Sequence, residues 1–217
     1  MSAPAPETGR GTAVDAAELA RWNARYSQAE YVFGTAPNAF LSAQAPLLRA
    51  GQRALSVADG EGRNSVWLAE QGLSVTAFDF SPPALDKARA LAAERGVTVN
   101  FEQGDIYGWR WPVAAFDVVV AIFVQFADPV MRAFKFERMR AALKPGGLLL
   151  LQGYTPRQLE YRTGGPSALE NLYTRELLES SFAGMDILSL QAYERELNEG
   201  ARHAGMSAVI DLVARQP

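Results

Sequence analysis

From Arg53 onward, apolar runs of strand length alternate with stretches of helical spacing. RALSVA (53–58), LSVTAFDF (73–80), VTVNFEQ (97–103), FDVVVAIFV (116–124) and GLLLLQG (147–153) read as strands. Between them, a helix starting at Asn64 is closed by Gly72, and Ser81 with Pro82 opens a helix that closes at Gly96. A third helix ends at Leu143, before Lys144-Pro145-Gly146-Gly147. Strands separated by helices predict parallel βαβ units in a doubly wound sheet. The almost unbroken apolar character of VVVAIFV and LLLL fits strands buried on both faces. The C-terminal part differs. After a helix at about 174–182, strand-like MDILSLQAYERE and MSAVIDLVA are joined by a loop too short for a crossover helix, so they must form an antiparallel hairpin. The expected fold class is therefore α/β, with a mostly parallel seven-stranded sheet ending in that hairpin.

Before the first strand, Asp15 is expected to cap a helix, AAELARWNARYSQ, which carries Trp22 and Tyr26. The loop YVFGTAP follows, and Asn38 reads as the cap of a second helix ending near Gly51. With no internal repeat and no interdomain linker, residues 15–217 form one expected domain: N-terminal helices over 15–50 and a sheet core over 51–217. Residues 1–14 lack an apolar signal-peptide core and read as a disordered tail.

Composition narrows the chemistry. The chain has 217 residues, enough for a single α/β domain, and its net charge of −3 points to no polyanionic partner. The cluster Arg132, Lys135, Arg138, Arg140 and Lys144 falls on a predicted helix that also holds acidic residues, so a solvated helix face is expected there. There is no cysteine, which removes disulfides and thiolate nucleophiles and fits a cytoplasmic protein. A single histidine, His203, excludes a multi-histidine metal site, and no metal is expected. The run Val118–Val124 is far too short to span a bilayer.

In open α/β sheets, ligands bind beyond the carboxyl ends of the strands. Four such ends carry candidate residues. Ala58-Asp59-Gly60-Glu61-Gly62-Arg63-Asn64 links the first strand to its helix, and its glycines allow either a ligand near the backbone or close packing. Asp79 ends the second strand beside Phe80, where a carboxylate can accept both hydroxyls of a ribose; with Ser81 serving as cap, the ribose role is favoured over capping. Gly104-Asp105-Ile106 follows the third strand and suits either an adenine edge or a simple turn. Ile122, Phe123 and Gln125 end the central strand, where Ile122 and Phe123 also suit the core.

Together these residues resemble the class I S-adenosylmethionine-dependent methyltransferases over about residues 19–215. The signature comprises the glycine turn, Asp79, Gly104-Asp105, Phe116–Val120 and Leu143–Gly147. A narrower resemblance, to the tellurite-resistance-type or thiopurine-methyltransferase-like group, rests on Trp22, Arg25-Tyr26, Tyr31–Asn38, Ala58–Asn64, Thr163–Pro166 and Glu194–His203. It implies a Rossmann-like sheet and S-adenosyl-L-methionine as cofactor. Gly60 and Gly62 would border its methionine portion, Asp79 would hold its ribose and Asp105 with Ile106 its adenine, with Tyr31, Ala58, Asp59, Phe80 and Ile122 also expected at the cofactor. The N-terminal segment with Tyr31 would close over the site as a lid. The usual acidic residue two positions before the first glycine is absent, since Ala58 stands there, and Asp59 is expected to supply that carboxylate. The family pattern often has a histidine where this chain has Gln125.

Methyl transfer from a sulfonium is an in-line displacement that needs alignment and exclusion of water, and a soft thiolate or chalcogen anion needs no base. Acceptor-site candidates are Gln125, Arg195 and His203 as catalytic residues, with Tyr31, Tyr161, Arg162 and Glu199 beside them. The strand end Ile122–Gln125 lacks the Asn/Asp-Pro-Pro-aromatic signature of base-amine methyltransferases, so a small-molecule acceptor is expected, with no nucleic acid and no membrane. A monomer or homodimer is expected. Two other readings stand. Gly60–Ser65 is one residue from a dinucleotide fingerprint, which would suit a nicotinamide-dependent oxidoreductase but leaves the hairpin unexplained. The chain could also be a non-catalytic S-adenosylmethionine-binding module.

Overall fold

The computed structural model describes residues 16–200 and 204–217. The expected tail, the proposed cap Asp15 and His203 lie outside the described residues. Five parallel strands, β1 (Arg53–Val57), β2 (Ser74–Asp79), β3 (Asn100–Gln103), β4 (Phe116–Ile122) and β5 (Leu143–Tyr154), are joined to β6 (Asp186–Asn198) and β7 (Ala204–Arg215) in one sheet. Its order is β3-β2-β1-β4-β5-β7-β6. β7 runs antiparallel to both β5 and β6, as the missing crossover required. This is the Rossmann-like, doubly wound fold with a C-terminal hairpin.

The strand alternation sorts the core into two layers. Val119, Ala121, Leu149 and Leu151 face one side with Leu55 and Val57, packing on Phe136 and Met139 of α5 (Pro129–Ala142). Val118, Val120 and Leu150 face the other with Ala54, packing on Phe40 and Leu41 of α2 (Ala39–Ala43) and Leu68 of α3 (Arg63–Glu70). Burial on both faces is why β4 and β5 read as continuous apolar runs. α4 (Pro82–Glu94) completes the β2–β3 crossover, and α1 (Ala16–Tyr26) lies against it. Two short helices, α6 (Gln158–Tyr161) and α7 (Arg175–Ser181), lie between β5 and β6.

Three local expectations need correction. Asn38 does cap α2, accepting the N–H of Leu41 at 3.0 Å, but the helix stops after five residues and a 3-10 turn follows at Ala45–Leu47. Pro46 explains the stop, because it has no N–H to continue the ladder. The last parallel strand, expected from Gly147, already begins at Leu143, and its pairing with β4 shifts register there. The basic cluster is not wholly solvated either. Lys135 is fully buried on α5, its ammonium donating to the carbonyl of Val124 and lying 5.0 Å from the Phe126 ring centre.

Candidate functional site

The carboxyl ends of β1, β2 and β4 open into a cavity of about 520 Å³, a size typical of small-molecule sites. It sits at the β1/β4 junction, where successive crossovers turn to opposite faces of the sheet. Its floor is the turn after β1. Ala58 and Gly60 hold positive φ of 48° and 64°, and Gly62 one of 90°. The two glycines differ in purpose. A Cβ on Gly62 would lie 2.8 Å from Ala88, so this glycine lets α3 and α4 pack closely. A Cβ on Gly60 would meet only the Tyr26 hydroxyl, at 3.2 Å, across the cavity. Gly62 thus serves packing, and Gly60 borders the cavity.

Two buried carboxylates flank this turn. Asp59 accepts the Ser56 hydroxyl at 2.6 Å and also the Ser65 hydroxyl. Asp79 accepts the N–H of Gly60 and the N–H of Ser81, each at 2.9 Å. Neither forms an ion pair with a described basic residue. Burial therefore raises both pKa values, and Asp79 reaches about 6 despite its backbone donors and partly because Asp59 is close. Ser81 is not the side-chain cap expected from the sequence: its hydroxyl donates to Asn23 Oδ1 at 2.7 Å. Asp79 binds backbone N–H groups of that turn itself.

The walls and roof come from distant segments. Ile122, Phe123, Gln125 and Phe126 line one wall from the end of β4; Tyr154 and the stretch Gly164–Ala168 with Asn171 line the next. Phe123, at φ 55°, stacks on Tyr154 with ring centres 4.6 Å apart. Trp22 and Tyr26 of α1, stacked 5.3 Å apart, form the roof with Phe33. Arg25 lies over the Trp22 ring at 4.5 Å.

Of the residues singled out from the sequence, Ala58, Asp59, Gly60, Asp79, Phe80, Ile122 and Gln125 border this cavity. Gly62 lies behind it. Asp105 accepts the N–H groups of Tyr107 and Gly108 at 2.8 and 2.7 Å, the pattern of a turn residue, and Ile106 is buried in the core. Tyr31 does not reach the cavity: its hydroxyl donates to the Lys87 carbonyl at 3.2 Å. Arg195 is exposed on β6, and Tyr161 donates to Glu194 at the surface. Gln125 is buried but fully engaged, accepting the N–H of Tyr154 and donating to the carbonyls of Tyr154 and Asn171 at 2.9 and 3.1 Å. It braces the wall and leaves no atom free to act as a base. Arg63, Asn64 and Phe123, from the turn and strand end singled out in the sequence, also line the cavity, as does Tyr154, which nothing in its local sequence spacing marks.

Residues 54–147 match the family model described as a methyltransferase domain. Over 114 residues the chain is 33% identical to a demethylmenaquinone methyltransferase of Deinococcus radiodurans, covering 51% of this chain and 46% of that protein. The chain thus spans about half the length of the curated relative it matches. One structural neighbour comes from work described as conversion of a disulfide bond into a thioacetal group during echinomycin biosynthesis. It shares 20% identity at a TM-score of 0.74, over 92% of this chain and 93% of that one. TehB from Haemophilus influenzae follows the same fold at 14% identity and a TM-score of 0.67, over 92% of this chain and 67% of its own. At these identities the structural likeness shows the fold alone. Together these findings place a methyltransferase-domain match over residues 54–147 on a fold shared with those solved structures. Among the described residues, no helix is long and apolar enough to cross a membrane.

Proposed function

We propose that this protein transfers a methyl group from S-adenosylmethionine to a small-molecule acceptor. One observation carries the reading: two buried carboxylates, Asp59 and Asp79, border a cavity and form no ion pair among the described residues. A cationic ligand with a diol fits that floor. Asp79 supplies a carboxylate for ribose hydroxyls, and Asp59 supplies negative potential for an ammonium or sulfonium. The same floor opposes a nicotinamide dinucleotide, whose pyrophosphate would sit at the start of α3, against Asp59. S-adenosylmethionine bound there supplies a methyl group already activated by its sulfonium.

The chain's own residues then orient and enclose. Trp22, Tyr26 and Phe33 cover the floor and exclude water. The acceptor has room between Phe123, Phe126, Tyr154 and the Gly164–Asn171 stretch, which favours an enzyme over a module that only binds the cofactor. A lone pair on the acceptor forms the new bond to carbon while the carbon–sulfur bond breaks and its electron pair stays on sulfur. Because the Gln125 amide is engaged, a soft thiolate or chalcogen anion that arrives deprotonated suits this wall. A net charge of −3 supports an acceptor other than nucleic acid, and the lack of cysteine supports a cytoplasmic protein.

Ligand-linked stability tests this reading. S-adenosylhomocysteine at 100 times its dissociation constant should add roughly 2.7 kcal/mol, whereas NADH should add nothing comparable. Stabilisation by NADH alone would refute it.

A further inference from the structure

The segment that carries Phe33 into the cavity threads between two buried carboxylates. On one side is Glu61, which sits between the two glycines of the floor turn and is almost fully buried. Its Oε2 accepts the N–H of Val32 at 2.8 Å and that of Phe33 at 3.4 Å, and its Oε1 accepts Lys87 Nζ at 2.8 Å. Lys87 also donates to the carbonyl of Glu30 at 2.6 Å, and its own carbonyl accepts the Tyr31 hydroxyl. On the other side is Glu199, at the tip of the hairpin. It accepts Asn38 Nδ2 at 3.0 Å, the N–H of Ala39 at 3.2 Å and Arg63 Nη2 at 2.7 Å. Gly200 lies so close that a Cβ there would be 2.5 Å from the Phe33 backbone.

We propose that Glu61 is a positioning residue that couples occupancy of the donor site to docking of residues 16–39 over the cavity. The acceptor space is then completed only once the methyl donor is in place. This rests on the methyltransferase reading. Three features on either side of Glu61 support it. Gly60 presents its N–H to Asp79, the carboxylate that faces the donor's ribose in that reading, so a ligand on Asp79 bears on the backbone that carries Glu61. Val32 and Phe33 lie in a covering segment outside the sheet, and Glu61 accepts both of their N–H groups. Trp22, Tyr26 and Phe33 close the cavity from above, so a donor lying on the turn touches both halves of the latch. A ligand that touches both favours the docked state by its differential affinity, and a weaker latch must lower donor affinity by the same factor.

Hydrogen exchange of residues 31–40, with and without S-adenosylhomocysteine, tests this directly. In the native protein the ligand should slow exchange of Val32 and Phe33 at least tenfold. Glu61→Gln can still offer an oxygen to Val32 only by turning its amide N–H₂ toward Lys87, so two donors face each other. That variant should lose most of the ligand-induced protection and bind S-adenosylhomocysteine about tenfold more weakly. Its acceptor KM should rise more than its kcat falls, while exchange in β1 and β4 stays native. Lys87→Met keeps both N–H bonds but leaves Glu61 buried without its ion pair, so it should lower the melting temperature and give about a threefold loss of affinity. Native affinity and native ligand-induced protection in both variants would overturn the coupling. So would a loss of protection spread evenly over the sheet in Glu61→Gln, if Lys87→Met behaves as the native protein. If S-adenosylhomocysteine protects nothing even in the native protein, the donor reading falls first and the coupling with it.

Discussion

The floor of the cavity and its roof handle buried charge in opposite ways. On and beneath the floor, Asp59, Asp79 and Lys135 have no described counter-ion. Their partners are neutral: hydroxyls for Asp59, peptide N–H groups for Asp79, and a carbonyl with two aromatic rings for Lys135. In the roof and its supports, the buried charges are paired, Glu61 with Lys87 and Glu199 with Arg63, each pair also binding backbone N–H groups. The contrast reflects what each part must do. The floor's dipoles are fixed by sheet register and turn geometry, so they can hold an uncompensated charge for a ligand to meet. The roof has no strand to hold it, and specific buried charge pairs help join its pieces. Floor charges should therefore respond to pH, and roof charges to mutation.

The largest expected effect is the titration of Lys135. Burial, with Arg132 nearby, lowers its pKa from 10.5 to about 7. Between these values the unfolded chain holds a proton that the folded chain has lost, so stability should rise with pH across that window. The cost of burying the charged form should be fully present below about pH 7, at roughly 5 kcal/mol. Denaturant titrations from pH 6 to 10 should show this rise in the native protein and a flat profile in Lys135→Met. A native profile as flat as the variant's would mean that the aromatic rings and the Val124 carbonyl hold the ammonium without loss.

Next comes the roof. Glu199→Ala leaves Arg63 buried without its partner, and breaking a buried pair this way costs about 3–5 kcal/mol. The cost should appear as easier opening of residues 32–40 and of the hairpin tip, seen by hydrogen exchange, with β1 and β4 unchanged. Equal losses in β1 would show that roof and floor unfold as one unit.

The third effect separates ligand binding from stability on the floor. Asp79→Ala removes two charge-assisted bonds to a ribose, so S-adenosylhomocysteine affinity should fall about 10²-fold, or roughly 3 kcal/mol. In the free protein, raising the Asp79 pKa from 3.8 to about 6 makes the folded state hold a proton that the unfolded state has lost in that window. Stability should therefore fall as pH rises from 3.8 to 6, opposite in sign to Lys135, and the variant should lose this slope. An unchanged affinity by calorimetry would reduce Asp79 to a turn residue.

Much of the floor was legible because its signals are local. A strand period, a Gly-x-Gly turn at 60–62 and an acidic strand end at Asp79 are each readable within a few residues. A parallel sheet then gathers all such strand ends at one edge. The absence of room for a crossover helix before Met206 likewise required the hairpin. Lys135 was also readable in principle: four residues before Met139 and seven before Ala142, it shares their buried helical face. Its charge drew the expectation to solvent.

The roof was not legible in this way. Tyr31 was expected over the site on its aromatic character, yet it turns outward to Lys87, and Phe33 takes the inner position. Glu61 meets Val32 across 29 residues, and Glu199 meets Arg63 across 136 and Asn38 across 161. Such pairings leave no periodic trace, because a carboxylate in a loop reads the same whether it meets water or a buried partner. The sequence by itself determined the succession of strands and helices along the chain and the acidic residues at the strand ends, since short-range periodicity and backbone sterics control each. Tertiary structure alone decided which charges were buried, which were paired, and which segment closed the cavity, since those depend on contacts between parts of the chain that only the finished sheet brings together.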